Sequence, residues 1–298
     1  MSLLGERKAG SRVGGKVILT LLGAGCRRRR NLPVEFTEKD QYKIGDLLTI
    51  VALLRSENGC PWDKEQTHES VRRALIEEVY EAADAIDQKD PVALREELGD
   101  VLLEVVFHTQ IETEQGGFTF DDICDGVCKK LIYRHPHIFG DVSVSSADEV
   151  LENWDRLKRI EKGQTSGTDT LYSVPKAFPG LMRAEKVQKR AAKAGWPEPD
   201  VSGALTEIAK IAKTLDTTAN AENQAALSDA AGALLFWAAQ AARLLKVDPE
   251  AAVAAAVERF IHRFAAAENL AVSREMNMAT ASLEERQRLW EAAGQGLF

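Results

Sequence analysis

Aromatic side chains make up only 6% of this 298-residue chain, and cysteine occurs four times. Cys26, Cys60, Cys124 and Cys128 have no zinc-ribbon spacing, which leaves reduced, structural thiols as the expectation. No apolar run is long enough for a membrane span. A glycine-rich phosphate loop, a dinucleotide fingerprint and a Ser-His-Asp signature are also missing. Excess positive charge is absent too. A net charge of -8 and a pI near 5.4 argue against partners such as nucleic acid or membrane, while a nucleotide can still be held through a metal and a few local cations. Val17 to Leu22 followed by Gly23-Ala24-Gly25-Cys26 looks superficially like a lipoprotein cleavage site. The apolar stretch is too short, however, and Arg27 to Arg30 follow it instead of preceding it. A cytoplasmic location is expected.

The chain is instead rich in Ala, Leu and Glu, with 45% hydrophobic and 28% charged residues, and predicts an all-α fold. Residues 1–41 lack helical periodicity and read as a disordered tail. Helices are predicted over Ile44 to Asn58, Ser70 to Gln88 and Pro91 to Gln115, with Cys60-Pro61-Trp62-Asp63 as a turn. Thr119 with Asp122, and Ser146 with Glu149, are capping boxes for two more helices, ending near Arg134 and Glu161. A segment rich in Gly, Ser, Thr and Pro, residues 163–177, reads as a linker between a domain at 42–162 and another at 178–298.

The second and third helices carry the chemistry. Glu78 with Glu81, and Glu97 with Asp100, are spaced three apart. Leu75, Val79, Ala82 and Ile86 form one apolar stripe and Leu94, Leu98, Val101 and Val105 the other. At about 100° per residue, the carboxylates of each pair lie about 60° and about 120° to the same side of the leading Leu. Packed antiparallel, the helices bring four carboxylates to one rim, which repels itself unless a divalent cation sits there. Any single Glu is usually just a solvated surface group. Two matched pairs without interleaved Lys or Arg are harder to explain that way, and Glu104 extends the edge by a turn. Oxygen ligands suit magnesium, with manganese as a substitute, and leave room for substrate phosphate. Glu77, about 160° from Leu75, reads as outer-shell or solvent-facing.

Lys130 and Arg134 are one turn apart and are candidates to hold phosphates, although a surface basic pair is the plainer reading. Trp62 is a weaker candidate for stacking on a base, since a Trp in a Pro-containing turn is more often a packing anchor. His135-Pro136-His137 is accounted for by a helix-ending turn.

The second half echoes the first. Gly195-Trp196-Pro197, Leu205-Thr206-Glu207 and Ala231-Gly232-Ala233 fall where Gly59-Cys60-Pro61-Trp62, Ile76-Glu77-Glu78 and Leu98-Gly99-Asp100 do. Lys210, Ala230 and Ala233 replace Glu81, Glu97 and Asp100, so no catalytic metal is expected there. Arg259 and Arg263 match Lys130 and Arg134.

Glu77-Glu78-Val79-Tyr80-Glu81 with Glu97-Leu98-Gly99-Asp100 resembles the E-E-x-x-E and E-x-x-D signature of the MazG nucleoside triphosphate pyrophosphohydrolases. Further similar stretches are Gly59 to Asp63 with Gln66-Thr67-His68, Arg134 to Phe139, and Leu181 to Ala184 with Lys186 to Arg190, so the resemblance runs from about residue 42 to residue 292. It implies duplicated helical domains that pair as four-helix-bundle-type homodimers, and hydrolysis of nucleoside triphosphates to monophosphate and pyrophosphate. Magnesium would lie on Glu78, Glu81, Glu97 and Asp100, and phosphates on Lys130 and Arg134. Clearance of noncanonical nucleotides is a family-level expectation. The competing readings are a narrow-specificity all-α pyrophosphohydrolase acting on one deoxynucleotide or on phosphoribosyl-ATP, and a non-catalytic nucleotide-binding scaffold.

Overall fold

The computed structural model describes residues 36–218 and 223–294. The tail reading for residues 1–35 lies outside them. Residues 36–41 are non-helical but are tied down by the Lys39–Asp46 ion pair and by stacking of Phe36 on Tyr42. Among the described residues there are helices and no strands, as the composition implies. No single helix among them is long and apolar enough to cross a membrane.

The described residues divide into two compact units, one ending at Val144 and the other starting at Ser145. This division lies ahead of the 163–177 segment that the sequence suggests as a linker. In the first unit, α1 (Ile44–Arg55) and the short α2 (Pro61–Glu65) precede the long pair α3 (His68–Asp87) and α4 (Pro91–Glu114). After that pair come α5 (Phe120–Arg134) and α6 (Pro136–Phe139). Local chemistry explains the boundaries. The Thr67 hydroxyl accepts from Ser70 N and starts α3 two residues earlier than the periodicity suggests. Asp90 caps α4 by accepting from Val92 and Ala93 N, with Pro91 in the first turn, where its missing N–H costs nothing. Lys89 takes the left-handed conformation, φ 57°, that closes the α3–α4 turn. The expected Thr119–Asp122 box is present at α5.

Two expected turns are short helices. Cys60-Pro61-Trp62-Asp63 begins α2, and His135-Pro136-His137 runs into α6, each with Pro in its first turn. Gly59 is needed before α2, because a Cβ there would stand 2.1 Å from the Leu54 carbonyl oxygen.

The core of this unit gathers Val51 from α1, Val71 from the start of α3, and Val106, Phe107 and Ile111 from the far half of α4. Arg55, at 9% exposure, fastens the same end. Its Nε and Nη2 donate to Glu114 at 3.0 and 2.9 Å, its Nη1 donates to the Gln66 carbonyl, and its guanidinium lies 5.1 Å from the centre of the Phe107 ring. The α3–α4 hairpin is therefore clamped at its open end. Toward the turn its apolar stripes are only partly covered. Ala82 is buried, but Val79, Ile86 and Leu98 are half exposed within the chain.

In the second unit, α7 (Ala147–Glu161) and α8 (Gly167–Tyr172) precede α9 (Gly180–Lys193), α10 (Val201–Thr218), α11 (Gln224–Leu244), α12 (Pro249–Ser273) and α13 (Leu283–Gly294). Helix α8 lies within the expected linker. The α10–α11 pair repeats the α3–α4 hairpin, and α9 packs across α11 and α12. Ala267, Ala271, Leu289 and Ala293 make a second core between α12 and α13.

Arg55→Ala is expected to destabilise the protein by about 2–3 kcal/mol in urea unfolding, because it strips the donors from Glu114 and from the Asp63 and Gln66 carbonyls; Arg55→Lys cannot restore the two-pronged geometry.

Candidate metal centre

The α3–α4 hairpin delivers the convergence that the spacing predicts. Glu78 and Glu81 from α3 and Glu97 from α4 each offer a carboxylate oxygen, all within 4.8 Å of one another. Asp100 stands outside that tight trio, but its charge acts on Glu78, Glu97 and Glu104. Glu78, Glu97 and Glu104 are all pushed above the usual carboxylate range, first by loss of hydration and then by neighbouring acids. For Glu78 the acids are Glu81, Asp100, Glu97 and Glu77; for Glu104 they are Glu78 and Asp100.

No cation of the chain forms a salt bridge with the trio among the described residues. The Oε2 of Glu104 is buried without a hydrogen-bond partner. Converging, mutually repelling carboxylates and an unsatisfied buried oxygen next to them are what a hard divalent cation with its water shell would satisfy. The donor set thus fits such an ion.

The other expected residues separate. Glu77 pairs with Arg73 at 2.7 Å on the exposed side of α3, in keeping with a place outside the ligand set. Trp62 is 63% exposed, so it is not the packing anchor that its turn context suggested. Lys130 is exposed on α5. Arg134, one turn later, is 7% exposed, which takes its head away from accessible surface.

Histidines that carried no expectation complete the α4 edge. His68 Nδ1 meets His108 Nδ1 at 2.7 Å and His68 Nε2 meets Glu112 at 2.9 Å, with the two rings stacked 5.0 Å apart. Loss of hydration, then the neighbouring His68, holds His108 below the usual imidazole range. The signal was available in the sequence: Glu104, His108 and Glu112 recur at four-residue spacing, one turn apart on α4 beyond Asp100.

In the second unit the corresponding positions are partnered within that unit. Glu207 and Lys210, in the places of Glu78 and Glu81, form a salt bridge at 2.6 Å. Arg263 donates to the Trp290 carbonyl at 3.1 and 2.9 Å and lies 4.3 Å from the centre of the Trp290 ring, bracing α13.

A helical hairpin on which three carboxylates converge, with Asp100 beside them, defines an all-α protein with a candidate site for a divalent cation. Residues 66–139 match the family described as MazG nucleotide pyrophosphohydrolase domain. The chain is 40% identical over 254 residues to the nucleoside triphosphate pyrophosphohydrolase of Escherichia coli K12, covering 84% of this chain and 96% of that protein. It is 38% identical over 251 residues to the nucleoside triphosphate pyrophosphohydrolase/pyrophosphatase MazG of Thermotoga maritima, covering 84% and 95%. The chain belongs to the MazG family.

The raised carboxylates set a pH dependence. A carboxylate whose folded pKa lies above its unfolded value favours the metal-free fold at low pH, and that advantage is lost as pH rises through the folded pKa. A divalent cation held there would compete with those protons, so its stabilising effect would grow with pH. Magnesium should raise the melting temperature more at pH 7.5 than at pH 5 in thermal-shift measurements, and Glu78→Gln with Glu97→Gln should flatten the difference.

Proposed function

We propose that the first unit hydrolyses nucleoside triphosphates to nucleoside monophosphate and pyrophosphate, with magnesium, or manganese in its place, held by Glu78, Glu81, Glu97 and Asp100. The observation that carries this reading is the convergence of Glu78, Glu81 and Glu97 within 4.8 Å, with Glu78 and Glu97 held above the usual carboxylate range by loss of hydration and by neighbouring acids. The printed activity of the E. coli and T. maritima relatives supports it. When bound, the cation neutralises phosphate charge and acidifies the attacking water.

The residues then divide the work. Glu81, the exposed member of the trio, is placed to take a proton from the water that attacks the α-phosphorus. Glu104 offers its unpartnered oxygen to a water of the ion's shell. Glu77 is held back by Arg73. Lys130 meets phosphate oxygens and offsets charge developing on the departing pyrophosphate, while the sheltered Arg134 supports it from the same helix edge. Trp62 offers an open indole face for the base. The free thiols of Cys60, Cys124 and Cys128 support a cytoplasmic location.

The half-exposed Val79, Ile86, Leu98 and Leu102 support a homodimer in which two such hairpins cover each other as a four-helix bundle. Sedimentation should therefore find a dimer, and Val79→Asp with Leu98→Asp should shift it toward monomer.

Product analysis tests the chemistry. Incubation with a panel of ribo- and deoxynucleoside triphosphates should give pyrophosphate plus monophosphate only when magnesium is present. Orthophosphate alone, or no turnover across the panel, would reject the reading. Glu81→Gln and Asp100→Asn should each lower kcat/KM by about 100-fold or more, and Lys130→Ala by about 10-fold.

A further inference from the structure

A cleft of about 970 Å³ lies wholly within the second unit, between α7, the start of α8 and α9, and contains none of the α3–α4 carboxylates. Its walls are basic, although the chain as a whole carries a net charge of -8. Helical spacing puts the charges there. Arg156 and Arg159 are three apart on α7, and Lys186, Lys189 and Lys193 fall on one face of α9.

Part of this basicity has a structural explanation. Cations in the last turn of a helix complement its dipole, which accounts for Arg159, Arg190 and Lys193. Lys193 also pairs with Asp155, and Arg190 donates to the Thr170 carbonyl and, at 2.6 Å, to Ser173 Oγ, hooking α8 to α9. Beyond these, Arg156 donates to Asn153 at 3.3 Å and Lys186 lies 5.6 Å from the centre of the Phe178 ring, neutral partners that leave both charges uncancelled, and Lys189, like Arg159, forms no ion pair among the described residues. The acids at the cleft are only Glu152 and Asp155, and Asp155 is already taken by Lys193. Several uncompensated cations facing one concavity repel one another and concentrate anions there.

The floor is close-fitting. A Cβ at Gly167 would stand 2.8 Å from the Ala194 methyl, so α8 can lie this near α9 only because residue 167 is glycine. We propose that this cleft binds a polyphosphate anion, either free or as the phosphate tail of a nucleotide. Its volume is at the upper end for small-molecule sites and admits both. Its lining contains no aromatic ring to stack a base, so phosphates are what it recognises. Such a site gives the second unit a ligand of its own where the α10–α11 pair carries an ion pair in place of metal-binding acids.

The experiment uses the full chain in EDTA, where the acidic rim cannot recruit phosphate through a metal, and titrates inorganic tripolyphosphate by calorimetry. Binding that weakens with salt is expected, and Arg159→Gln with Lys189→Gln should weaken it by about tenfold with an unchanged circular-dichroism spectrum. Arg156→Gln with Lys186→Gln should do the same, which guards against misfolding of the first pair. A non-hydrolysable nucleoside triphosphate tighter than tripolyphosphate would identify a nucleotide as the ligand; equal affinity would identify the phosphate chain alone. Absence of binding, binding by both double variants as tight as that of the parent chain, or loss of binding in Lys130→Ala instead would overturn the proposal.

Discussion

The mutual repulsion of carboxylates on α3 and α4 is the constraint around which the first unit is arranged. Helices that bring Glu78, Glu81 and Glu97 within 4.8 Å must be held together from elsewhere. The holding is done at the opposite end, by the Val51–Val106–Ile111 core and by Arg55, which joins α1 to Glu114 on α4 and to the Gln66 carbonyl before α3. The acids therefore sit on a projecting half-hairpin. Its apolar side is incompletely covered within one chain, and its charged side resists full ionisation. In the proposed function, a cation on one side and a second hairpin on the other would relieve these two tensions by different physics, Coulombic attraction and loss of apolar surface to water.

The α10–α11 pair of the second unit shows a helical hairpin without that constraint. With Lys210 paired to Glu207 one turn away on α10, and alanines at 230 and 233 on α11, the acids that converge on α3–α4 are not repeated. The arginine that matches Arg134 has become a brace between α12 and α13. Cationic surface accumulates instead on α7 and α9. The two halves thus keep one scaffold and carry opposite local charge.

Much of this was legible in residue order because helices obey short-range rules. Capping side chains, prolines in first turns and the apolar period placed α3, α4 and α5 to within two residues. The three-residue spacing of the acids set their common edge, since 3.6 residues per turn leaves no other geometry. Short helices were missed at α2, α6 and α8, where too few residues exist for a period to appear.

The sequence by itself determined the helical class, the hairpin, its acidic rim and the erosion of that rim in the second copy. These depend on neighbours within one or two turns. Only the tertiary structure decided that Arg134 is buried while Trp62 is open, that Arg55 is the clamp, and that His68 meets His108 and Glu112. It also decided that cations from α7 and α9 share one cleft. Each of these joins residues from different elements, and burial and long-range pairing follow from how helices pack, which the period of any one helix does not contain.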